Sequence, residues 1–380
     1  MKIAIVTTDN RQHFQDFANP APYFGTAPEA LLQGFAAMPE LEVHVISCAQ
    51  KPMKSPKKLA ENIWFHSLYV PKSGWMRTSY QGCIRAVRRR LKVIQPDIVH
   101  GQGTERECAI SAVFSKFPNV VTLHGNMRLI AEVNKAKPLS FNWLAAQLER
   151  IVLPRARGVV CITSYTQEAV KDLARKMWLV PNAVDASFFD AQPAPDDSGL
   201  ILCAGFICHR KNQNAFIRAL DSLAGKKKFK VMFVGEVVKE DPFVTEFQEL
   251  IATRPWCTYG GFADREKLKG YLKTATMLAL PSLEDNCPMV VLEAMAAGVP
   301  VLAAKVGGLP DLIEDGKNGL FCNPLEADSM AVGVQRILDN PQMARALAQT
   351  AKQMARERFH PLFIAQRHVE IYREVLSKPA

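Results

Sequence analysis

Twice along this chain, short apolar runs rich in β-branched residues alternate with longer stretches of helical period. In the first half the runs fall at residues 2–8, 42–48, 97–100, 119–123 and 158–162, separated by helix-like stretches such as Glu29 to Met38 and Ile84 to Ile94. A strand that is apolar at nearly every position is buried on both faces, and helices between such strands are the crossovers that parallel pairing requires. The pattern restarts at Leu200 to Gly205 and continues through Phe229 to Gly235, Trp256 to Gly260, Met277 to Pro281 and Val299 to Ala303. It predicts an α/β chain built on two parallel sheets.

Length agrees, because a single core stops growing near ~250 to 300 residues and this chain has 380. Two domains are expected, over residues 1–190 and 191–360, with the Pro- and Asp-rich segment Gln192 to Ser198 as linker. A last helix within 361–380, about Pro361 to Leu376, is expected outside the second core, its packing left open. With 48% hydrophobic and 22% charged residues, the composition is that of a soluble globular chain. The opening MKIAIVTT reads as a buried strand rather than a leader, and no window approaches ~20 uninterrupted apolar residues. The nine cysteines show no metal-type pairing and several fall in strand-like runs, which predicts reduced core thiols in a cytoplasmic protein.

The net charge of +10 is concentrated in the first half: residues 1–190 hold 24 Lys and Arg against 15 Asp and Glu, whereas residues 191–380 hold 23 against 22. Between Lys51 and Lys116, 13 basic residues face 4 acidic ones, interleaved with Trp64, Trp75 and Tyr80. Such a patch suits an anionic surface, either the headgroups of the inner membrane face in a peripheral contact or a phosphate-bearing acceptor; it equally suits a solvated helix face. No zinc-type or aromatic-rich module accompanies it, so nucleic acid is not an expected partner. Trp64 to Tyr80 carries no readable motif and is expected to be an acceptor loop.

In an open parallel sheet, ligands bind beyond the carboxyl ends of the strands, where helix N-termini present unpaired amides. From Leu280 to Pro300 a strand ends, an acidic loop follows and a helix starts near Met289. Asp285 in the loop and Glu293 about one turn inside the helix can reach one ligand. A carboxylate accepts two hydrogen bonds from vicinal hydroxyls of a sugar or ribose, while the intervening helical amides favour phosphate. An isolated pair of this kind is more often a helix-flanking acid complementing the dipole. At the junction Cys203 to Asn212, the adjacent cations Arg210 and Lys211 suit a leaving diphosphate, with Asn212 as N-cap of a helix over Gln213 to Leu223. His124 ends the strand-like Val121–Leu123, and Gly25 precedes a helix.

Pro281, Ser282, Glu293, Ala294, Met295, Ala296, Gly298, Pro300 and Val301 stand in the register of the retaining glycosyltransferases of family 4, which this chain resembles. The segment Gly205 to Asn212, ending Arg-Lys-Asn, the Asp97 to Gln102 stretch and the turn Pro181 to Asp185 are similar to further motifs of that family. The resemblance implies two Rossmann-like domains facing across a cleft, the GT-B fold. It also implies transfer of a sugar from a nucleotide-sugar donor of UDP or GDP type to a hydroxyl of a glycan or lipid-linked acceptor, with retention and without a metal or cofactor; no Asp-x-Asp motif occurs in the sequence. By the same resemblance Gly25, Arg210, Lys211, Asp285, Asn286, Cys287, Met289 and Glu293 bind the donor, and His124, Asp285, Arg210 and Lys211 serve catalysis. His100 is assigned an architectural place. Departures are Asp285 for a glutamate, Asn286-Cys287-Pro288 for Gly-Phe-Gly, and Gln102 for a second histidine. Two rival readings are a sugar-nucleotide epimerase and a non-catalytic sugar-nucleotide-binding scaffold. A nicotinamide-dependent dehydrogenase is disfavoured because no Gly-x-Gly-x-x-Gly follows the first strand.

Overall fold

A computed structural model describes residues 1–195, 197–238 and 240–377. Asp196 of the expected linker and residues 378–380 of the expected last segment lie outside the described residues. The chain divides into two compact units: Met1–Ala183 together with the chain from His360 onward, and Val184–Phe359. The division thus falls inside the turn Pro181 to Asp185, ahead of Gln192 to Ser198, and the last helix rejoins the first unit.

Among its described residues the first unit holds eight strands: β1 (Lys2–Val6), β2 (Glu42–Ala49), β3 (Lys58–Ala60), β4 (Ile63–Tyr69), β5 (Ile98–Gln102), β6 (Asn119–Leu123), β7 (Val159–Cys161) and β8 (Met177–Leu179). They form one sheet in the order β3-β4-β2-β1-β5-β6-β7-β8, parallel except for the edge hairpin β3-β4. Period-two geometry sends alternate side chains of β1 to opposite faces. Ala4 and Val6 join a core with helix Gln81–Ile94, while Ile3 and Ile5 join a second core with helix Thr26–Ala36. The last helix, Pro361–Ser377, closes that second core with Ile364, Ala365, Val369, Ile371 and Tyr372. Trp64 to Tyr80 is not an irregular loop, because most of its first part is β4, a strand whose Ile63 and Phe65 are buried.

The second unit holds β9 (Leu200–Ala204), β10 (Lys230–Val234), β11 (Cys257–Tyr259), β12 (Met277–Leu280), β13 (Val301–Ala304) and β14 (Leu320–Cys322), all parallel, in the order β11-β10-β9-β12-β13-β14. Counted along the chain this is the 3-2-1-4-5-6 order of a doubly wound Rossmann sheet, whose strand order reverses between β9 and β12. Helix Met289–Ala297 follows β12 and is buried over nearly its whole length, packed against helix Pro341–Phe359. All nine cysteines are free thiols; eight are buried and Cys208 is half-buried.

Candidate functional site

Neighbouring carboxyl ends of β9 and β12 bring two of the expected junctions together. After β9 the chain makes a single 3-10 turn, His209–Lys211, before helix Gln213–Leu220. Asn212 lies between them with left-handed φ of 61°, so it does not cap the helix as its side chain would from extended backbone. Its Nδ2 donates instead to the Pro324 carbonyl at 2.8 Å. The turn carries Arg210 and Lys211 to the loop after β12, where the Arg210 carbonyl accepts from the Leu283 amide at 2.8 Å.

There Asp285 gathers both cations. Its Oδ2 accepts from Lys211 Nζ at 2.5 Å and from Ser282 Oγ at 3.0 Å, and its Oδ1 accepts from Arg210 at 3.4 Å. Arg210 also donates to the Glu284 carbonyl at 2.8 Å and lies 3.7 Å from the Glu284 carboxylate. Lys211 and Asp285 are both buried. A close opposite charge is what makes burial of either tolerable, and an anionic ligand reaching Lys211 competes directly with Asp285.

Beside this pair a cavity of about 290 Å³ opens at the carboxyl ends of β9 and β10, lined by Gly205, Phe206, Lys211, Gly235, Met289 and Glu293 among others. Met289 is the first residue of its helix, preceded by Pro288, so the helix N-terminus borders the cavity. Glu293 is buried, and burial pushes its carboxyl up to about 7 against the pull of the Arg265 guanidinium, with Asp185 adding a smaller upward push. Arg265 pairs with Asp185 at 2.8 Å. Of the expected donor residues, Lys211, Met289 and Glu293 line the cavity. Arg210, Asp285, Asn286 and Cys287 do not, although Asp285 holds both Arg210 and the lining Lys211.

Gly25 and His124 belong to the first unit. Gly25 immediately precedes helix Thr26–Ala36 with φ of 88°, and its carbonyl accepts from the Glu29 amide at 3.1 Å. His124 follows β6, half-buried, with Nε2 at 2.7 Å from Gln102 Oε1 and a further side-chain bond with Asn182 that favours its protonated form. Burial lowers its pKa to about 4, so the imidazole is neutral near pH 7. His100 is wholly buried.

The basic segment also changes character in three dimensions. Lys51, Lys54, Lys57, Lys58, Arg85, Arg89 and Lys92 are exposed, but Trp75 and Tyr80 are core residues and Trp64 is half-buried beneath Lys58, whose ammonium sits 4.5 Å above its ring. Two of the three interleaved aromatics therefore offer nothing to a partner. Among the described residues no helix is long and apolar enough to cross a membrane.

Sequence reasoning did not find Arg265, Asp185 as a charge near Glu293, Gly235, or Gln102 as partner of His124. Arg265 opens an ordinary Asp-capped helix, Arg265–Thr274, and nothing in its local pattern marks it. For Gln102 there was a signal, its place two residues after His100 on a strand, since alternate residues share a face.

Comparison with known proteins bears on the family and the fold. The profile of the family "Glycosyl transferases group 1" matches residues 184–354, and that of "Glycosyltransferase Family 4" matches residues 29–188. An uncharacterized glycosyltransferase of Methanocaldococcus jannaschii is 30% identical over 47% of this chain, and the match spans 45% of that relative's length. The 2-deoxystreptamine glucosyltransferase of Streptomyces kanamyceticus is 24% identical over 93% of this chain and 96% of its own. Among solved structures, sucrose-phosphate synthase from Thermosynechococcus elongatus superposes with a TM-score of 0.80 at 19% identity, covering 99% of both chains. Anabaena HepE in complex with UDP gives 0.73 at 20% identity, covering 98% of this chain and all of its own. With the two profiles together running from residue 29 to 354 over two Rossmann-like units, the chain is a glycosyltransferase and belongs to the group 1, family 4 glycosyltransferases of GT-B fold.

Proposed function

We propose that this glycosyltransferase moves a sugar from a nucleoside diphosphate sugar to a hydroxyl of a glycan or lipid-linked acceptor, with retention at the anomeric carbon and without a metal. The observation that carries the reading is the convergence of Arg210 and Lys211 on the Asp285 loop beside a cavity at the point of strand-order reversal. As the diphosphate leaves, negative charge grows on its oxygens. Lys211, Arg210 and the N-terminus of helix Met289–Ala297 meet that charge with fixed positive groups, the largest kind of catalytic term available to such a site. Glu293, deeper in the cavity, accepts hydrogen bonds from ribose hydroxyls, and Asp285 is assigned to the transferred sugar once phosphate oxygens replace it on Lys211. Gly25, Asn286, Cys287 and Met289 complete the donor-binding set, and His124 acts on the same sugar. No carboxylate is assigned as nucleophile; the leaving phosphate takes the acceptor proton, which favours attack from the face it leaves. UDP is the first nucleotide to test, since a solved relative of the same fold holds it.

Thermal-shift titration with UDP, GDP, ADP and their sugar conjugates tests this reading. A shift with one nucleotide, followed by its release from the matching conjugate when acceptor is added, is the expected result. A folded protein that shifts with none of them overturns the donor site. Peripheral contact with an anionic membrane is a separate proposal that rests on the exposed cations alone. It predicts co-sedimentation with vesicles containing phosphatidylserine at low salt and release at high salt, because such attraction is screened within ~10 Å at 0.1 M ionic strength. Retention in solution at low salt counts against it.

A further inference from the structure

In the first unit a chain of polar contacts runs inward from His124. Its Nε2 lies 2.7 Å from Gln102 Oε1. The Gln102 amide nitrogen stands 3.3 Å from both ring nitrogens of His100. His100 is held on either side, by Tyr372 Oη at 2.6 Å and Thr122 Oγ1 at 2.7 Å. Gln102, His100 and Tyr372 are all buried, so water does not compete for the bonds among them, whereas the His124 end is half-buried. Tyr372 belongs to the last helix, whose His368 stacks on His100 with ring centroids 5.3 Å apart.

An amide oxygen accepts hydrogen bonds and cannot donate them. With Gln102 Oε1 at Nε2, the neutral His124 ring holds its proton on Nε2, and the Asn182 side chain bonds the same ring in the sense that favours a proton. The amide does not titrate in any accessible pH range, so Gln102 offers the ring the same acceptor at every pH. We propose that Gln102 is a positioning residue for His124: it fixes the tautomer and ring orientation in which the imidazole meets the transferred sugar, and the His100–Tyr372 bond anchors it to the C-terminal helix. This rests on the reading of His124 as a residue that acts on the sugar.

The test is a double-mutant cycle on the full chain, using the nucleotide sugar identified by thermal shift. Gln102→Met, which removes the accepting oxygen at similar volume, is expected to lower kcat about tenfold or more while leaving donor KM within about twofold. In a His124→Ala background the same substitution is expected to have no further effect, because a residue acting only through another loses its influence with it. Gln102→Glu restores the acceptor but adds a charge. Its carboxylate stabilises the imidazolium, so kcat should recover substantially while the acid limb of the kcat–pH profile moves upward from about pH 4. His100, His368 and Tyr372 also face this network, and burial lowers His368 to about 4 as well, so the limb reports His124 only where it moves in Gln102→Glu and the movement is lost when His124→Ala is added. If Gln102→Met misfolds, shown by a collapsed melting curve, the Gln102→Glu profile decides alone.

Additive losses in the cycle, wild-type kcat in Gln102→Met, or an unmoved acid limb in Gln102→Glu each overturn the positioning role while leaving His124 in place. Wild-type transfer by His124→Ala overturns both the role of His124 and the positioning that depends on it.

Discussion

Glu293 carries the sharpest consequence at the scale of single residues. An unfolded chain ionises this carboxylate near its ordinary 4.5, whereas the folded protein holds its proton up to about 7. Between those values the folded state binds more protons than the unfolded one, so stability falls as pH rises through the window. At one unit per 1.36 kcal/mol the total loss is on the order of 3 kcal/mol. Glu293→Gln removes that slope. The variant should match the parent at pH 4 and exceed it at pH 8 by roughly 1 to 3 kcal/mol in urea unfolding, while nucleotide affinity falls by about 1.5 to 3 kcal/mol. Equal slopes in both proteins would place the titration elsewhere, and unchanged affinity would remove Glu293 from the site. Lys211→Ala should lower kcat more than it raises donor KM if the amine meets charge that develops only as the diphosphate leaves; a pure KM effect denies it that role. The partners of Lys211 were half legible in the sequence: its spacing from the first strand of the domain and the register of Asp285 before the helix pointed to one junction. That these two side chains neutralise one another at 2.5 Å was not, since ion pairing across 74 residues depends on which strands become neighbours.

Among the elements, the loop after β13 limits how the Asp285 loop can lie. Gly307 has φ of 53°, and a Cβ there would sit 1.8 Å from the Asp285 carbonyl oxygen. The Gly308 amide then donates to that same carbonyl at 3.0 Å. Gly307→Ala must therefore push the Asp285 loop away from Lys211. It should cost more than about 2 kcal/mol of stability and weaken nucleotide binding in the same protein; a variant with parental melting and affinity would show that the loop tolerates displacement. Most central strands were legible because they are apolar at nearly every position, as strands buried on both faces are. Three-residue strands divide: β7 and β11 lie in runs the sequence shows, whereas β3, β8 and β14 do not. In β4 the eye is drawn to the flanking basic residues rather than to its alternation. Helix Pro341–Phe359 buries Ala344, Leu347, Ala348, Ala351, Ala355 and Phe359, a helical stripe made mostly of methyl groups that a hydrophobic pattern underweights.

For the whole molecule, two compact units with separate cores predict two unfolding transitions, and a nucleotide bound in Val184–Phe359 should move one of them. At 100 times its Kd it adds about 2.7 kcal/mol to that unit. Calorimetry with and without UDP would show it; a single transition that moves as a whole would mean that the units unfold as one. Two domains were legible from length and from the repeated pattern. The return of the last helix to the first unit was not, because the residues it needs, Ile3, Phe35 and Val45 among them, are hundreds of positions away and leave no local mark.

That return also sets an order on biosynthesis. The strands of the first unit leave the ribosome early, yet the helix Pro361–Ser377 that covers one of its two cores is translated after the entire second unit. At about 5 to 20 residues per second the wait is roughly ten to forty seconds. Throughout it the second unit can complete its own core, whereas the nascent first unit exposes an apolar groove. The half translated first is thus the half finished last, and chaperone demand during synthesis should fall on the N-terminal sheet.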